Sequence, residues 1–106
     1  MPNVAVDSQL ERLVESLGAL RTATSVDDPN YEAIKKQYRE ASDRLSTAIG
    51  KSIDEADKDY KAFADGVGDA VAAVKEATKK IEKAAKTVKL VAQVLDVVGK
   101  VVAKLV

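Results

Sequence analysis

Four acidic side chains lie within six positions near the middle of the chain, and together they resemble a set of metal ligands. They are Asp54, Glu55, Asp57 and Asp59. Carboxylate oxygens are the ligands that Ca²⁺ prefers in proteins. The segment lacks the central glycine and the terminal bidentate glutamate of an EF-hand loop, and the apolar residues around it continue at helical spacing. We therefore expect a solvated helix face here rather than a metal site.

Two residue types that support most side-chain catalysis are missing, because the chain contains no Cys and no His. Without Cys there is no thiol nucleophile or thiolate ligand. Without His, the commonest general base and the commonest metal ligand are lost together. Gly66 and Gly68 do not make a phosphate loop, since no predicted strand precedes them and no Lys-Ser/Thr pair follows. We predict a protein that is not an enzyme, uses no metal or cofactor and has no small-molecule substrate.

A run of lysines is the remaining candidate for ligand binding. Six of them lie between positions 75 and 89, with two glutamates among them: Lys75, Lys79, Lys80, Lys83, Lys86 and Lys89. The run has no Arg to read base edges and no aromatic ring to stack on bases, which disfavours nucleic acid as a partner. Residues 1–70 carry a net charge of −5 and residues 71–106 carry +5. This division predicts a basic helix that lies along acidic ones or faces an anionic surface.

A seven-residue repeat runs without interruption through the last forty residues and is the strongest pattern in the chain. Branched aliphatic residues fill one position of the repeat: Val67, Val74, Ile81, Val88, Leu95 and Val102. Mostly small residues fill the second. An apolar stripe at this spacing indicates a long helix whose face is buried against another helix, another copy of the chain or lipid.

The N-terminal third predicts a short tail and a first amphipathic helix. Ser8 and Glu11 have the spacing of a capping box, which predicts a helix that starts at about residue 9. Residues 25–29 combine Ser, Asp and Pro and predict the turn that follows it. We therefore divide the chain into a tail at 1–7 and a single helical domain at 8–106.

Gly66 and Gly68 predict the turn between two long helices, because two glycines within three residues weaken a helix and permit turn conformations. Apolar spacing continues across Gly50, which predicts at most a kink there. The predicted fold class is all-α: an antiparallel hairpin of long helices at about 29–65 and 69–105, with the short N-terminal helix packed on it in a coiled-coil-like bundle. The alternative is a continuous helix through Gly68, whose stripe another chain would bury.

The stretch from Val88 to Val106 leads to the functional prediction. Its polar stripe covers only about 80° of the helix circumference, so the apolar remainder needs several helical neighbours, another subunit or a membrane interface. We predict a noncatalytic protein-interaction or self-assembly module whose partner is a helical protein or another copy of the chain. The predicted interface residues are Val74, Ile81, Val88, Val91, Leu95, Val98, Val102 and Leu105. The alternative is a membrane-active protein that binds an anionic lipid surface through this basic, Val-rich helix.

Two observations bear on where the protein acts. The first eight residues lack the basic stretch and apolar run of a secretory signal, so we expect a cytoplasmic protein, with export by a signal-independent route left open. The C-terminal stretch does not suit a membrane span in isolation. Lys89, Asp96 and Lys100 would each cost roughly 2–3 kcal/mol near the centre of a bilayer.

Overall fold

Four helices run alternately up and down the long axis of the molecule: α1 (Asp7–Ala23), α2 (Tyr31–Ala48), α3 (Lys58–Lys79) and α4 (Ala84–Ala103). The structure is a computed structural model and describes residues 2–106. Helices α1 and α2 form one antiparallel pair, and α3 and α4 form the other. Helix α1 also packs on α3, and α2 packs on α4. The all-α, antiparallel architecture predicted from the sequence is confirmed.

Each helix directs one apolar face into a common core. The buried positions recur at spacings of three and four, which places them on one side of a helix. The fully buried large side chains are Val6, Leu10, Leu13, Leu17, Leu20, Ile34, Phe63, Val74, Val91, Val98 and Val101. Alanines at positions 41, 48, 70, 77 and 84 are also buried in this core and let the helices approach closely.

Helix α3 passes through Gly66 and Gly68, where the sequence predicts the hairpin turn. That prediction is wrong because one buried face continues on both sides of the glycines: Phe63, Val67, Ala70, Val74 and Ala77. Gly66 faces α4, and a Cβ added to it would lie 3.5 Å from a methyl group of Val94. The chain reverses instead at residues 80–83, which include a short 3₁₀ turn. The helix predicted over 69–105 therefore comprises the end of α3, this turn and α4.

The helix predicted over 29–65 is also divided, at Gly50. This residue has a φ of +77°, in the left-handed region that favours glycine, and α2 ends just before it. The chain then extends into β2 (Ser52–Asp54) before α3 begins. A kink was expected here, and the structure shows a complete break because a second segment supplies β2 with backbone partners.

That second segment is β1 (Asn3–Ala5), in the stretch assigned to a tail from the sequence. It pairs antiparallel with β2, with Val4 opposite Ile53. Val6 follows it and is fully buried. Helix α1 then begins at Asp7 with no side-chain hydrogen bond at its N-cap, so the predicted capping box is not formed.

The two ends of the bundle differ. At one, which we call the sheet end, Val106 joins β2, since its backbone N–H and carbonyl are 3.0 and 3.1 Å from the carbonyl and N–H of Ser52. The opposite end, which we call the turn end, contains the α1–α2 turn at residues 24–30 and the α3–α4 turn at residues 80–83. The molecule measures 47 Å along its longest dimension.

Candidate functional site

The acidic cluster, the first candidate for chemistry, is part of the fold at the sheet end. Asp54 belongs to β2, Asp57 is the N-cap of α3, and Asp59 lies in the first turn of α3. The prediction that these acids share one solvated helix face is therefore wrong, because Asp54 lies in a strand and Asp57 lies at the N-cap of a helix. The Asp57 carboxylate accepts a hydrogen bond of 2.8 Å from the backbone N–H of Asp59. Lys104 Nζ lies 3.2 Å from Asp57 Oδ1 and 2.6 Å from Asp59 Oδ2.

These contacts shift the pKa values of Asp57 and Lys104. The backbone N–H of Asp59 and the ammonium group of Lys104 lower the pKa of Asp57 below its ordinary value of 3.8. The carboxylates of Asp59 and Asp57 raise the pKa of Lys104 above its ordinary value of 10.5. Asp57, Asp59 and Lys104 thus form an ion-pair network that holds the end of α4 to the start of α3. Across residues 2–106 no group of three or more Asp, Glu, His or Cys side chains has the placement to hold a metal ion.

The predicted interface residues lie mainly in the interior of the monomer. Val74, Val91, Leu95, Val98 and Val102 are buried, and Val88 and Leu105 are partly buried against the core. Ile81 differs because it sits in the α3–α4 turn with 37% of its surface exposed. Helices α2 and α3 cover the broad apolar face of α4 within one chain. That these residues contact a partner stays a prediction.

An open groove lies between α1 and α3, two helices that lie side by side in the same direction. It has a volume of about 390 Å³. We call it the α1/α3 groove, and its lining residues are Arg12, Glu15, Ser16, Ala19, Val71, Lys75, Thr78 and Lys79. The lining residues span about two helical turns on each helix, positions 12–19 on α1 and positions 71–79 on α3, so the two walls of the groove are similar in length.

The floor of the α1/α3 groove is apolar in character although it contains two hydroxyl groups. Ala19 and the partly buried Val71 present methyl groups. Ser16 donates its hydroxyl proton to the Leu13 carbonyl at 2.9 Å, and Thr78 donates to the Val74 carbonyl at 2.8 Å. Because each hydroxyl is bonded within its own helix, the floor presents little unsatisfied polarity to a ligand.

The rim of the α1/α3 groove is basic. Arg12, Lys75 and Lys79 carry three positive charges there against the single negative charge of Glu15. In the part of the chain that the structure describes, ion pairs form only at Lys83 and Lys104, so these four rim side chains have none. An apolar floor between unpaired cations suits a ligand that is apolar on one side and anionic on the other.

A smaller groove on the opposite face, between α2 and α4, has a volume of about 240 Å³ and a rim of mixed charge from Lys36, Glu40 and Asp96. Its buried Gln37 donates a hydrogen bond of 2.8 Å to the Val88 carbonyl of α4. The Oε1 atom of the same amide has no partner among the described residues and is shielded from solvent. This groove therefore has an internal crosslink and no dominant sign of charge.

Sequence reasoning missed the α1/α3 groove because its two sides are far apart in the chain. Residues 12–19 form one wall and residues 71–79 the other. The lysines of the second wall were recognised as a basic run, but nothing in the periodicity shows which helix lies beside them. The available signal was Ala19 and Val71, small apolar residues on otherwise polar faces.

Comparison of the chain with protein-family models, with curated proteins and with solved structures gave no match. Among the helices formed by residues 2–106, none combines the length and the apolar content that crossing a bilayer requires.

Proposed function

We propose that this chain is a noncatalytic protein-interaction module that binds an acidic, amphipathic helical segment of a partner protein in the α1/α3 groove. The observation that carries the proposal is the apolar floor set between three cations without ion-pair partners. Such a surface is open in the folded monomer, so binding needs no rearrangement of the core.

The shape of the groove supports a helical ligand. A volume of about 390 Å³ accommodates a few aliphatic side chains rather than a whole helix. Amphipathic helices bind in this way, with residues at i, i+3 or i+4, and i+7 inserted into a groove while the helix axis stays above the surface. The walls span about two helical turns on each side, which matches the distance along a helix from position i to position i+7.

The charge of the rim supports an acidic ligand. Arg12, Lys75 and Lys79 outnumber Glu15 and leave the rim with a net positive charge. Complementary charge steers a partner and fixes its orientation, while like charge excludes wrong partners. An acidic helix gains from all three cations, whereas a basic helix of the same apolar pattern is repelled.

The chemistry of the groove supports a noncatalytic role. Ser16 and Thr78 are hydrogen-bonded to their own helices, and the sequence has no His to activate either hydroxyl. Nucleophilic attack would therefore require breaking these bonds with only Lys or a carboxylate as base.

Self-assembly through α4, the interface predicted from the sequence, requires a larger change. Val91, Leu95 and Val98 would have to leave the core to reach a second chain. Exposing large aliphatic side chains costs about 1.5–3 kcal/mol each, so the open groove is the favoured surface.

A pair of synthetic helical peptides tests the proposal. Both carry leucines at i, i+4 and i+7, and their remaining positions are mainly Glu in one peptide and mainly Lys in the other. We expect the Glu peptide to bind and the Lys peptide not to bind, measured by fluorescence anisotropy at physiological salt. Ala19→Glu places a carboxylate on the floor and should weaken binding of the Glu peptide at least about ten-fold, which corresponds to 1.4 kcal/mol.

Lys36→Glu is the control for charge, since it makes the chain more negative than Ala19→Glu does but at an exposed position on α2 away from the α1/α3 groove. It should leave binding of the Glu peptide nearly unchanged. Equal binding of the two peptides, or equal loss in Ala19→Glu and Lys36→Glu, would show that the groove is not the binding surface.

A further inference from the structure

The α3–α4 turn exposes an aliphatic side chain in a strongly basic setting. Ile81 lies there with 37% of its surface accessible, although it occupies the same heptad position as the buried Val74 and Leu95. In the sequence Lys80 precedes it, and Glu82 and Lys83 follow it. We call Lys80, Ile81, Lys83 and Lys86 the basic tip.

Few of these charges are neutralised within the protein. Lys83 is hydrogen-bonded to Glu76, and this contact lowers the pKa of Glu76 and keeps it ionised. Lys80 and Lys86 take part in no ion pair with any residue from 2 to 106. Residues 75–89 carry six lysines and two glutamates, a net charge of +4.

The position of the lysines is unfavourable for the helix that they begin. The N-terminus of a helix has a positive partial charge, so acidic residues stabilise it and basic residues do not. Helix α4 has no acidic residue in its first turn and no side-chain hydrogen bond at its N-cap. Lys83 is that N-cap, and Lys86 lies in the first turn. An anion placed opposite the tip would relieve this repulsion, which folding alone leaves uncompensated.

The neighbouring connection at the turn end contributes a second exposed aliphatic residue. Val26 in the α1–α2 turn has 73% of its surface accessible. Asp27 and Asp28 are beside it, but Asp28 accepts a backbone hydrogen bond from Asn30 and is directed into its own turn. The turn end therefore combines two exposed apolar side chains with the lysines of the basic tip, beside the carboxylates of Asp27, Asp28 and Glu82.

The sheet end provides the contrast. Ile49 is exposed there as well, with 64% of its surface accessible. Acidic side chains outnumber basic ones in the segment that follows it, because residues 51–59 carry four acids and two lysines, and Lys104 is held between Asp57 and Asp59. Ile81 therefore lies beside a basic stretch, since residues 80–86 carry three lysines and one glutamate, whereas Ile49 precedes an acidic one.

From this combination we propose that the basic tip binds the surface of an anionic lipid bilayer while the bundle stays folded. The lysines contact headgroup phosphates and carboxylates, and Ile81 inserts at the level of the headgroups. This differs from release of α4 into the membrane, since the apolar face of α4 remains in the core. Aliphatic residues favour lipid over nucleic acid, which would require Arg or aromatic rings to bind bases. The proposal does not depend on the α1/α3 groove.

Flotation of the purified full chain with vesicles tests the proposal. One set contains phosphatidylcholine with about 30% phosphatidylserine and the other phosphatidylcholine alone, each at low, physiological and high salt. We expect the protein to float with the anionic vesicles only, and the bound fraction to fall steeply as salt increases.

Three variants locate the contact. Lys80→Gln with Lys86→Gln should weaken vesicle binding about 25-fold, from about five-fold for each lysine removed near an anionic surface. Ile81→Ser should weaken it by a smaller factor and at every salt concentration. Ile49→Ser, the matched loss of an exposed isoleucine at the sheet end, should leave binding unchanged. Circular dichroism of each variant should show the helicity of the original chain.

Three results would overturn the proposal. The protein remains unbound with both vesicle types at low salt, or Ile49→Ser weakens binding as much as Ile81→Ser does. In the third, the chain does not bind vesicles but binds a 20-base-pair DNA duplex, and Ile81→Ser binds the duplex with the same affinity. This result would assign the lysines to nucleic acid.

Discussion

The side chain of Lys104 lies between Asp57 and Asp59 and connects the last turn of the chain to the beginning of α3. Asp57 has a second role, because its carboxylate caps α3 through the N–H of Asp59. The sequence shows these acids as a cluster, and their spacing is close enough to suggest metal binding. Their actual partners are a backbone group two residues away and a lysine 47 positions away, and only the first can be anticipated from sequence.

This cluster predicts how stability depends on pH. The pKa of Asp57 is lowered, so its contribution is present above 3.8 and is lost as the pH falls through the pKa of the folded state. The pKa of Lys104 is raised, so its contribution is present below 10.5 and is lost as the pH rises through the pKa of the folded state. Thermal unfolding followed by circular dichroism should show a lower Tm at both extremes.

Two substitutions at position 57 separate the charge from the cap. Asp57→Asn retains an N-cap oxygen and should reduce the loss of Tm between pH 4 and pH 2, because no carboxylate is titrated at this position. Asp57→Ala removes both contributions and should lower the Tm at pH 7 more than Asp57→Asn does. A loss of Tm between pH 4 and pH 2 that is as large in Asp57→Asn as in the original chain would contradict this assignment.

At the scale of single elements, two glycines have opposite roles that sequence patterns alone do not distinguish. Gly50 adopts a φ of +77° and ends α2, whereas Gly68 lies in the interior of α3. The sequence pattern predicts a turn at Gly68 and a helix through Gly50. The apolar periodicity continues across both glycines, so whether a helix ends at either one depends on which segments pack against it.

Alanine substitutions test this assignment. Gly68→Ala should raise the free energy of unfolding by about 1 kcal/mol, because alanine is the better helix former and the added Cβ meets no atom within 4 Å. Gly50→Ala should lower it by about 1–2 kcal/mol, the cost of a left-handed conformation for a residue with a Cβ. Urea denaturation measures both. A destabilised Gly68→Ala would restore the turn predicted from the sequence.

The α3–α4 turn is the element that sequence reasoning could least have found. Residues 80–83 contain neither Gly nor Pro, and the heptad pattern runs through them without a change of phase. In an antiparallel pair, both helices direct their apolar faces toward each other. An apolar repeat divided between two paired helices therefore has the same sequence pattern as a repeat along one continuous helix. Ile81 is exposed because the chain reverses direction at this position.

At the scale of the whole molecule, the apolar stripe of the last forty residues is buried within one chain. Leu95 has 3% of its surface exposed, in contact with the core, whereas Ile81 of the same repeat is accessible. Leu95→Ala should therefore lower the free energy of unfolding by about 2–5 kcal/mol. Ile81→Ala, the matched control, should change it by less than about 1 kcal/mol.

The same measurement distinguishes burial within a chain from burial between chains. The urea midpoint of the original protein should not change between about 1 and 100 µM protein, because folding of a monomer does not depend on concentration. A midpoint that rises with concentration, together with a similar cost for Leu95→Ala and Ile81→Ala, would indicate that a second chain covers the stripe.

The sequence by itself determined the all-α class, the amphipathic character of each helix and most of the core, because these depend on the spacing of apolar residues along one element. The tertiary structure decided the rest: that α3 continues through two glycines, that the first residues pair with β2, and that α1 lies beside α3. Each of these depends on a contact between segments distant in the chain. The α1/α3 groove and the isolation of Ile81 at the turn end arise from the same contacts, since local periodicity defines a face but not its neighbour.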